Sequence, residues 1–253
     1  MRITPLASGS QGNRLLLTSG TQALLVDAGL PTDELARRLL VVGQPPARLT
    51  GVLLTHRHGD HVAGVFDLCR AHRIPVLATR STARCLGTQL RRRIRLFEPE
   101  QEFECGDLRI HAVRLSHDAP DTVGFRFDDG HTRFGHATDL GSLGGSITRV
   151  FRGAQVLLLE FNHDATLLRE GPYPWQLKQR IASPTGHLSN EQGEALLRQL
   201  VHPGLEHLFL AHLSRHNNRP ELALAAAQRA LGGHGCRLEV AQQDQPSVSV
   251  ARG

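Results

Sequence analysis

The chain has 253 residues, 40% of them hydrophobic, so it is long enough to bury a sizeable core and form one α/β domain spanning residues 1–253. Its net charge of +5 permits a polyanionic partner without requiring one. Of the 29 basic residues 28 are arginines, which indicates a composition bias and is therefore not by itself evidence of phosphate binding. No stretch approaches the roughly 20 apolar residues of a membrane-spanning helix. The four cysteines are scattered, with no CxxC pair and no signal peptide, so we expect a cytoplasmic protein that does not bind membranes.

The first half of the chain predicts strands that alternate with helices. Short apolar runs bounded by turn residues predict strands at Arg2–Leu6, Arg14–Thr18, Gln22–Asp27, Gly51–Leu54 and Val76–Ala78. Helical periodicity predicts helices at Thr32–Val42, Val62–Cys69 and Arg80–Leu90.

The second half repeats this alternation. The predicted strands are Leu108–Leu115, Val123–Phe127, Thr132–Gly135, Val156–Phe161, His207–Ala211 and Arg237–Val240. Helices are predicted at Leu143–Phe151, after Ser189, where Gln192 completes a capping box, and at Pro220–Leu231. Two runs of strands, each flanked by helices, predict an α/β fold of the αββα sandwich type with its site along one edge.

A cluster of histidines directly follows the predicted strand Gly51–Leu54. His56, His58, Asp60 and His61 occur within six residues. Residues 56, 58 and 60 of an extended segment can point to a common side, while His61 begins the next helix, so the four side chains divide naturally between two metal ions. Imidazole and carboxylate are the ligands of catalytic zinc sites. The alternative, a solvent-exposed turn rich in histidine, gives no reason for this concentration of ligands.

Three further candidate ligands each follow a predicted strand: His117, Asp139 and His212. Taken alone, each has an ordinary interpretation, as a loop histidine, a turn aspartate, and a capping or core histidine. Their common position at strand ends favours the metal interpretation. Four other histidines fit no such spacing and are interpreted as surface or structural residues: His111, His131, His136 and His234.

The segment from Thr55 to His61 resembles the HxHxDH motif of the metallo-β-lactamase superfamily. The resemblance implies a four-layer αββα sandwich that binds two divalent metal ions, zinc or alternatively manganese. It also implies how the ligands divide: His56, His58 and His117 would hold one ion, Asp60, His61 and His212 the other, and Asp139 would bridge them.

Two later segments resemble the GHxS and THxS motifs of the ribonuclease Z and ribonuclease J branch: Gly186–Ser189 and Ala211–Ser214. In that branch the first histidine lies by the scissile phosphate, so His187 is a candidate proton donor; the alternative is that it only stabilises the start of the next helix. Three more segments resemble the YycJ/WalJ/VicX subfamily of exonucleases: Ser116–Ala119, Glu160–Asp164 and Gly171–Arg180. The chain departs from that subfamily at Arg57 and Gly59, where an acidic residue and a serine are usual.

The resemblance therefore implies a dinuclear-metal phosphodiesterase, a 5′ to 3′ exonuclease for which DNA is favoured over RNA. Asp60 would orient the attacking water and His187 would protonate the leaving oxygen. The expected substrate contacts are Asn162, His163, Ser189 and Lys178. A hydrolase of thioesters, lactones or cyclic phosphodiesters is the alternative function, and a non-catalytic metal-binding regulator is disfavoured by the complete ligand set.

Two basic segments have open interpretations. The loop with Tyr173 and Trp175 is either a hydrophobic plug or an aromatic wall whose Lys178 and Arg180 contact phosphates. The arginine run at residues 91–95 is either a solvated helix face or a phosphate contact.

Overall fold

A computed structural model describes residues 1–252, which form two seven-stranded mixed sheets. The first sheet has the spatial order β14 (Val250–Ala251), β1 (Arg2–Ala7), β2 (Arg14–Ser19), β3 (Gln22–Val26), β4 (Gly51–Leu53), β5 (Val76–Ala78), β6 (Ile94–Leu96). The second sheet has the order β13 (Arg237–Val240), β12 (His207–Ala211), β11 (Val156–Glu160), β10 (Arg133–Ala137), β9 (Val123–Asp128), β8 (Leu108–Arg114), β7 (Glu102–Cys105).

The α-helices lie between these strands in the chain. They are α1 (Thr32–Val41), α2 (Gly59–Val62), α3 (Val65–His72), α4 (Arg80–Ala83), α5 (Gly145–Phe151), α6 (Ala165–Glu170), α7 (Trp175–Ile181), α8 (Asn190–Leu200) and α9 (Pro220–Leu231). Short 3₁₀ helices occur at Pro46–Arg48 and Thr88–Arg93. No helix within residues 1–252 is both long enough and apolar enough to cross a membrane.

Three buried apolar clusters show how the layers stack. The central cluster lies between the two sheets and includes Leu17 from β2 and Phe125 from β9. A second cluster packs α1 and α3 on the outer face of the first sheet. The third packs α5, α8 and α9 on the outer face of the second sheet. The predicted αββα sandwich is therefore confirmed.

The direction of the strands creates a common edge for the site. Strands β3 to β6 run parallel to one another, and so do strands β10 to β13. The carboxyl ends of parallel strands meet at one edge of a sheet, and loops leaving that edge carry the candidate ligands.

Two of the predicted helices were wrong in extent. The helix predicted at Arg80–Leu90 ends at Ala83 and is followed by a turn and a 3₁₀ helix, because Gly87 takes a left-handed φ of 75° that an α-helix cannot contain. The helix predicted at Val62–Cys69 is two helices that meet at Gly64. A side chain at Gly64 would lie 2.3 Å from the Leu30 carbonyl oxygen, so the chain turns where the backbones touch.

The strands β6, β7 and β14 and the helices α6 and α7 were missed by sequence analysis. All five elements are short, and α7 buries none of its residues fully, so none of the five has a clear apolar periodicity in the sequence.

Candidate metal centre

The backbone of the histidine loop is bonded to two neighbouring loops, the one that precedes β2 and the one that follows β3. The amide of Ala28 donates to the His61 carbonyl at 2.8 Å, and the amide of Asn13 donates to the Asp60 carbonyl at 2.8 Å. A Cβ at Gly29 would lie 1.5 Å from the Asp60 carbonyl oxygen, so only glycine permits this approach. The side chains of the loop therefore project from a fixed frame.

The first cluster contains the three histidines that were predicted to share one ion. His56 Nε2 lies 3.1 Å from His58 Nδ1, and His117 Nε2 lies 3.3 Å from the same nitrogen. Zinc binds imidazole nitrogen at about 2.0–2.1 Å, so two nitrogens on a tetrahedral ion are separated by roughly 3.3 Å. Two of the three nitrogen pairs are thus spaced as a single zinc ion requires, and all three nitrogens lie within 4.8 Å of one another.

The remaining predicted ligands lie around His61 and Asp139, which together with His56 form a second group of donor atoms within 4.8 Å of one another. His61 Nε2 lies 3.3 Å from Asp139 Oδ2 and 3.5 Å from Asp60 Oδ2. Two polar atoms here, Asp139 Oδ2 and His212 Nε2, are fully buried and make no hydrogen bond within residues 1–252. A buried polar atom without a partner is costly. A cation among these atoms would remove that cost, so the donor set fits a metal ion.

The backbone at this cluster is strained. Asp27, Asp139 and His212 each follow a parallel strand and each adopts a left-handed φ, between 58° and 63°. Non-glycine residues rarely adopt this conformation, which costs of order 1–3 kcal/mol and is concentrated at functional sites. At Asp27 and Asp139 this turn leaves a carboxylate oxygen within 3.3 Å of a ring nitrogen of His61.

Asp27 orients the histidine loop, and sequence analysis did not assign it a role. Its Oδ2 accepts from His61 Nδ1 at 2.7 Å and from Thr55 Oγ1 at 2.8 Å. Thr55 Oγ1 in turn lies 3.0 Å from His56 Nδ1. These bonds fix which nitrogen of each ring faces the cluster, as carboxylates beside metal-bound histidines do. The only signal in the sequence was an acidic residue at the end of a predicted strand.

Glu160 was also missed, and it connects two histidines. Its Oε1 accepts from His187 Nδ1 at 2.8 Å and from His212 Nδ1 at 2.7 Å. Burial alone would raise the pKa of this carboxyl, but the two imidazoles hold it well below its usual range. Conversely, burial would lower the pKa of His212, while the charges of Asp139 and Glu160 raise it to about 9. Glu160 is therefore an ionised partner that orients both rings.

The grouping of Asp139, Glu160, His187 and His212 has two interpretations. Their polar atoms are close enough to hold an ion. However, the Nδ1 atoms of both histidines are already bonded to Glu160. We therefore interpret the group as a hydrogen-bonded network around Glu160, in which His187 and His212 each direct Nδ1 to the carboxylate and keep Nε2 free of it.

The clusters form the floor of an open cavity of about 440 Å³. His187 lines it with a side chain that is 22% exposed, and Asn162 lines it while its amide donates to the His212 carbonyl at 2.8 Å. The opposite wall comes from α7 and the segment before it: Tyr173, Leu177, Arg180 and Ile181. Arg180 Nε donates to Asp118 Oδ2 at 2.6 Å, and Asp118 Oδ1 lies 3.3 Å from His58 Nε2. Asp118 thus orients a histidine that is a predicted ligand.

Three predicted substrate contacts lie outside this cavity. Lys178 and His163 line a separate pocket beside Trp175, on the other face of α7, and Lys178 Nζ donates to the Arg169 carbonyl. Ser189 caps α8, where its hydroxyl accepts from the Gln192 amide at 3.2 Å and the capping box is complete. The structure therefore brings Asn162 to the candidate site and does not bring the other three.

The four histidines that were interpreted from the sequence as surface or structural residues belong to none of the groups of possible metal ligands among residues 1–252. His136 is buried within β10, and burial lowers its pKa to about 4, so the ring stays neutral. His234 Nδ1 accepts from the Cys236 amide at 3.1 Å.

Two sheets that converge on buried histidines and carboxylates, with an open cavity above them, define a metal-dependent hydrolase of the αββα type. The chain belongs to the metallo-β-lactamase superfamily, since residues 22–212 match the family described as "Beta-lactamase superfamily domain". The resemblance drawn from the sequence is thus confirmed.

The chain is similar to bacterial exodeoxyribonucleases. It is 37% identical over 225 residues to exodeoxyribonuclease WalJ of Streptococcus pneumoniae serotype 2, covering 86% of this chain and 83% of the relative. It is 31% identical over 239 residues to exodeoxyribonuclease YycJ of Bacillus anthracis, covering 93% and 90%. Among solved structures, the metallo-β-lactamase fold protein YhfI from Bacillus subtilis superposes with a TM-score of 0.75 at 20% identity, covering 97% of this chain and 98% of YhfI.

Proposed function

We propose that this chain is an exonuclease that hydrolyses phosphodiester bonds of DNA with two divalent metal ions. The observation that carries the proposal is the placement of His187 beside the ligand clusters, bonded through Nδ1 to a buried carboxylate. The names of the WalJ and YycJ relatives support a DNA substrate. The 5′ to 3′ direction rests on the resemblance of the sequence motifs alone.

The ligands divide between two ions in this proposal. His56, His58 and His117 would hold one, Asp60, His61 and His212 the other, with Asp139 between them. We propose zinc because the set is rich in imidazole, with manganese as the alternative because carboxylates also contribute. Such ions, when bound, make water more acidic and neutralise phosphate charge.

His187 would act as the proton donor to the leaving oxygen. Its Nδ1 is occupied by Glu160 and its side chain lines the cavity, so Nε2 is the nitrogen available to substrate. The hydrogen bond to Glu160 fixes the orientation of the ring, so that Nε2 is held towards the cavity that the leaving oxygen would occupy. Asp60 would orient the attacking water, and Asn162 would contact the substrate from the cavity wall.

The remaining predicted contacts would play lesser parts. His163 and Lys178 would meet only a portion of substrate that extends past α7, and the Ser189 hydroxyl is already engaged at the start of α8.

The direct experiment compares substrates with one metal-reconstituted preparation. Linear single- and double-stranded DNA labelled at either end, circular single-stranded DNA, RNA, nitrocefin and a glutathione thioester are each incubated with the protein. We expect linear DNA to be degraded from its 5′ end, circular DNA to resist, and nitrocefin and the thioester to remain intact.

An Asp139→Asn variant prepared identically controls for contaminating nucleases. Turnover of the thioester or nitrocefin without cleavage of any nucleic acid would reverse the proposal in favour of the small-molecule alternative.

A further inference from the structure

The positive charge of the chain is concentrated in one segment. Residues 68–97 contain eight arginines and no aspartate or glutamate. The other 223 residues carry 21 basic and 24 acidic side chains. The net charge of the protein therefore comes from this segment, which a general preference for arginine over lysine does not explain.

Three of these arginines surround an open groove of about 500 Å³. Arg80, Arg84 and Arg91 line it, all three are exposed, and none forms an ion pair within residues 1–252. Its apolar lining comes from Ala83, Ile94 and Leu96. Leu96 is 48% exposed, so the groove presents apolar surface as well as charge.

The groove begins beside the candidate metal centre. β5 runs parallel to β4, with Leu77 opposite Leu53, so α4 starts at the same edge of the sheet as the histidine loop. Ser81 Oγ of α4 donates to the Pro120 carbonyl at 3.1 Å. Pro120 lies two residues beyond Asp118, which lines the metal cavity. The loop that carries His117 thus separates the cavity from the groove.

We infer that this groove, which we call the arginine groove, binds a single-stranded segment of the DNA substrate a few nucleotides from the scissile phosphate. The inference rests on the proposed function, and it assigns the path that the strand follows outside the cavity. Unpaired guanidinium groups bind phosphate oxygens by two parallel hydrogen bonds. The apolar lining fits the sugars and unstacked bases of a single strand, which a duplex keeps away from the protein surface.

The test uses two matched triple variants. Arg80→Glu, Arg84→Glu and Arg91→Glu together reverse the charge of the arginine groove. Arg48→Glu, Arg152→Glu and Arg237→Glu together form the control. The control arginines are also exposed and unpaired within the described residues, and they lie at the amino ends of β4, β11 and β13, on the edge opposite the site. Both variants change the net charge equally.

We expect the groove variant to raise KM for linear single-stranded DNA of about 20 nucleotides by roughly ten-fold or more at moderate salt, because it loses phosphate contacts. The slope of log KM against log salt should become shallower by about 2, since each lost contact contributes about 0.7 for single strands. Hydrolysis of bis(p-nitrophenyl) phosphate, which is too small to reach the groove, should match wild type. The control variant should behave as wild type towards both substrates.

Equal effects of the two variants on DNA, or an equal loss of the small-substrate activity and the DNA activity, would overturn the arginine groove while leaving the proposed function intact. A wild-type protein that cleaves no nucleic acid would overturn the proposed function. In that case, the arginine groove is tested by comparing the affinities of the two variants for fluorescent single-stranded DNA. Circular dichroism checks folding, and the corresponding Arg→Gln triple replaces any variant that fails to fold.

Discussion

At the scale of single residues, the role of each histidine is set by the partner of its second ring nitrogen. His61 and His212 give Nδ1 to the carboxylates of Asp27 and Glu160, which leaves Nε2 towards the cluster. His58 does the reverse: its Nε2 faces Asp118 and its Nδ1 faces the other rings. Identical side chains thus present different atoms, and these differences follow from residues far away in the sequence.

The first prediction separates His187 from His212, which share Glu160. General acid catalysis typically contributes about 10²- to 10⁴-fold, so His187→Ala should lower kcat on DNA by that order while metal content stays at the wild-type level. His212→Ala should instead lose one metal ion, because Nε2 is a ligand atom in the proposed site. Elemental analysis and steady-state kinetics on the same preparations measure both effects. A His187 variant that loses metal, or that keeps full activity, contradicts the proton-donor assignment.

The candidate ligands could be predicted at this scale, and the residues that orient them could not. His56, His58, Asp60 and His61 form a local motif, so six residues are enough to predict them as candidates. Asp27 lies 34 residues before His61, and Glu160 lies 52 residues before His212. Nothing in the local sequence relates those carboxylates to their partners, since the contacts exist only after the sheets have formed.

At the scale of elements, the parallel strands place the site and α7 shapes its access. One face of α7 lines the metal cavity through Leu177 and Arg180, and the other lines a second pocket through Trp175 and Lys178. From the sequence, this region was predicted to be a single loop whose aromatic and basic side chains all line the same site. Its helical form divides the aromatic and basic residues between two pockets, which only the helix geometry could reveal.

The second prediction concerns the start of α8 and tests whether Ser189 is structural. Ser189→Ala removes the side-chain acceptor for the Gln192 amide, so we expect a loss of about 1 kcal/mol in the free energy of unfolding, within the usual range for such caps. KM and kcat of the folded protein should stay within about two-fold of wild type. Urea denaturation and kinetics on DNA measure the two effects.

Ser189→Asp is the matched control, because aspartate also caps helices and should restore the stability. A large rise in KM with unchanged stability would instead support Ser189 as a substrate contact.

At the scale of the whole molecule, the candidate ligands come from both sheets. The histidine loop follows β4 of the first sheet, whereas His117, Asp139 and His212 follow β8, β10 and β12 of the second. The alternation of strands and helices was sufficient to predict four layers, since each layer follows from local periodicity. The short edge strands β6, β7 and β14 were beyond such reasoning, because long-range pairing rather than apolar pattern defines them.

The last prediction follows from ligands that join the two sheets: metal binding should stabilise the entire fold. A ligand present at 100 times its Kd stabilises by about 2.7 kcal/mol, so two such ions would contribute about 5 kcal/mol. For a chain of this size, each kcal/mol moves Tm by about 2–4 °C, so removing the metals with a chelator should lower Tm by roughly 10–20 °C. Elemental analysis of the dialysed protein should find two ions per chain.

The Asp139→Asn variant should bind fewer ions and show a smaller shift in Tm on chelation, because Asp139 Oδ2 is the buried acceptor that otherwise lacks a partner. Glu221→Gln, an exposed change on α9, should behave as wild type. A wild-type stoichiometry of one ion or none in folded protein, or an unchanged shift in Asp139→Asn, would refute the two-metal site.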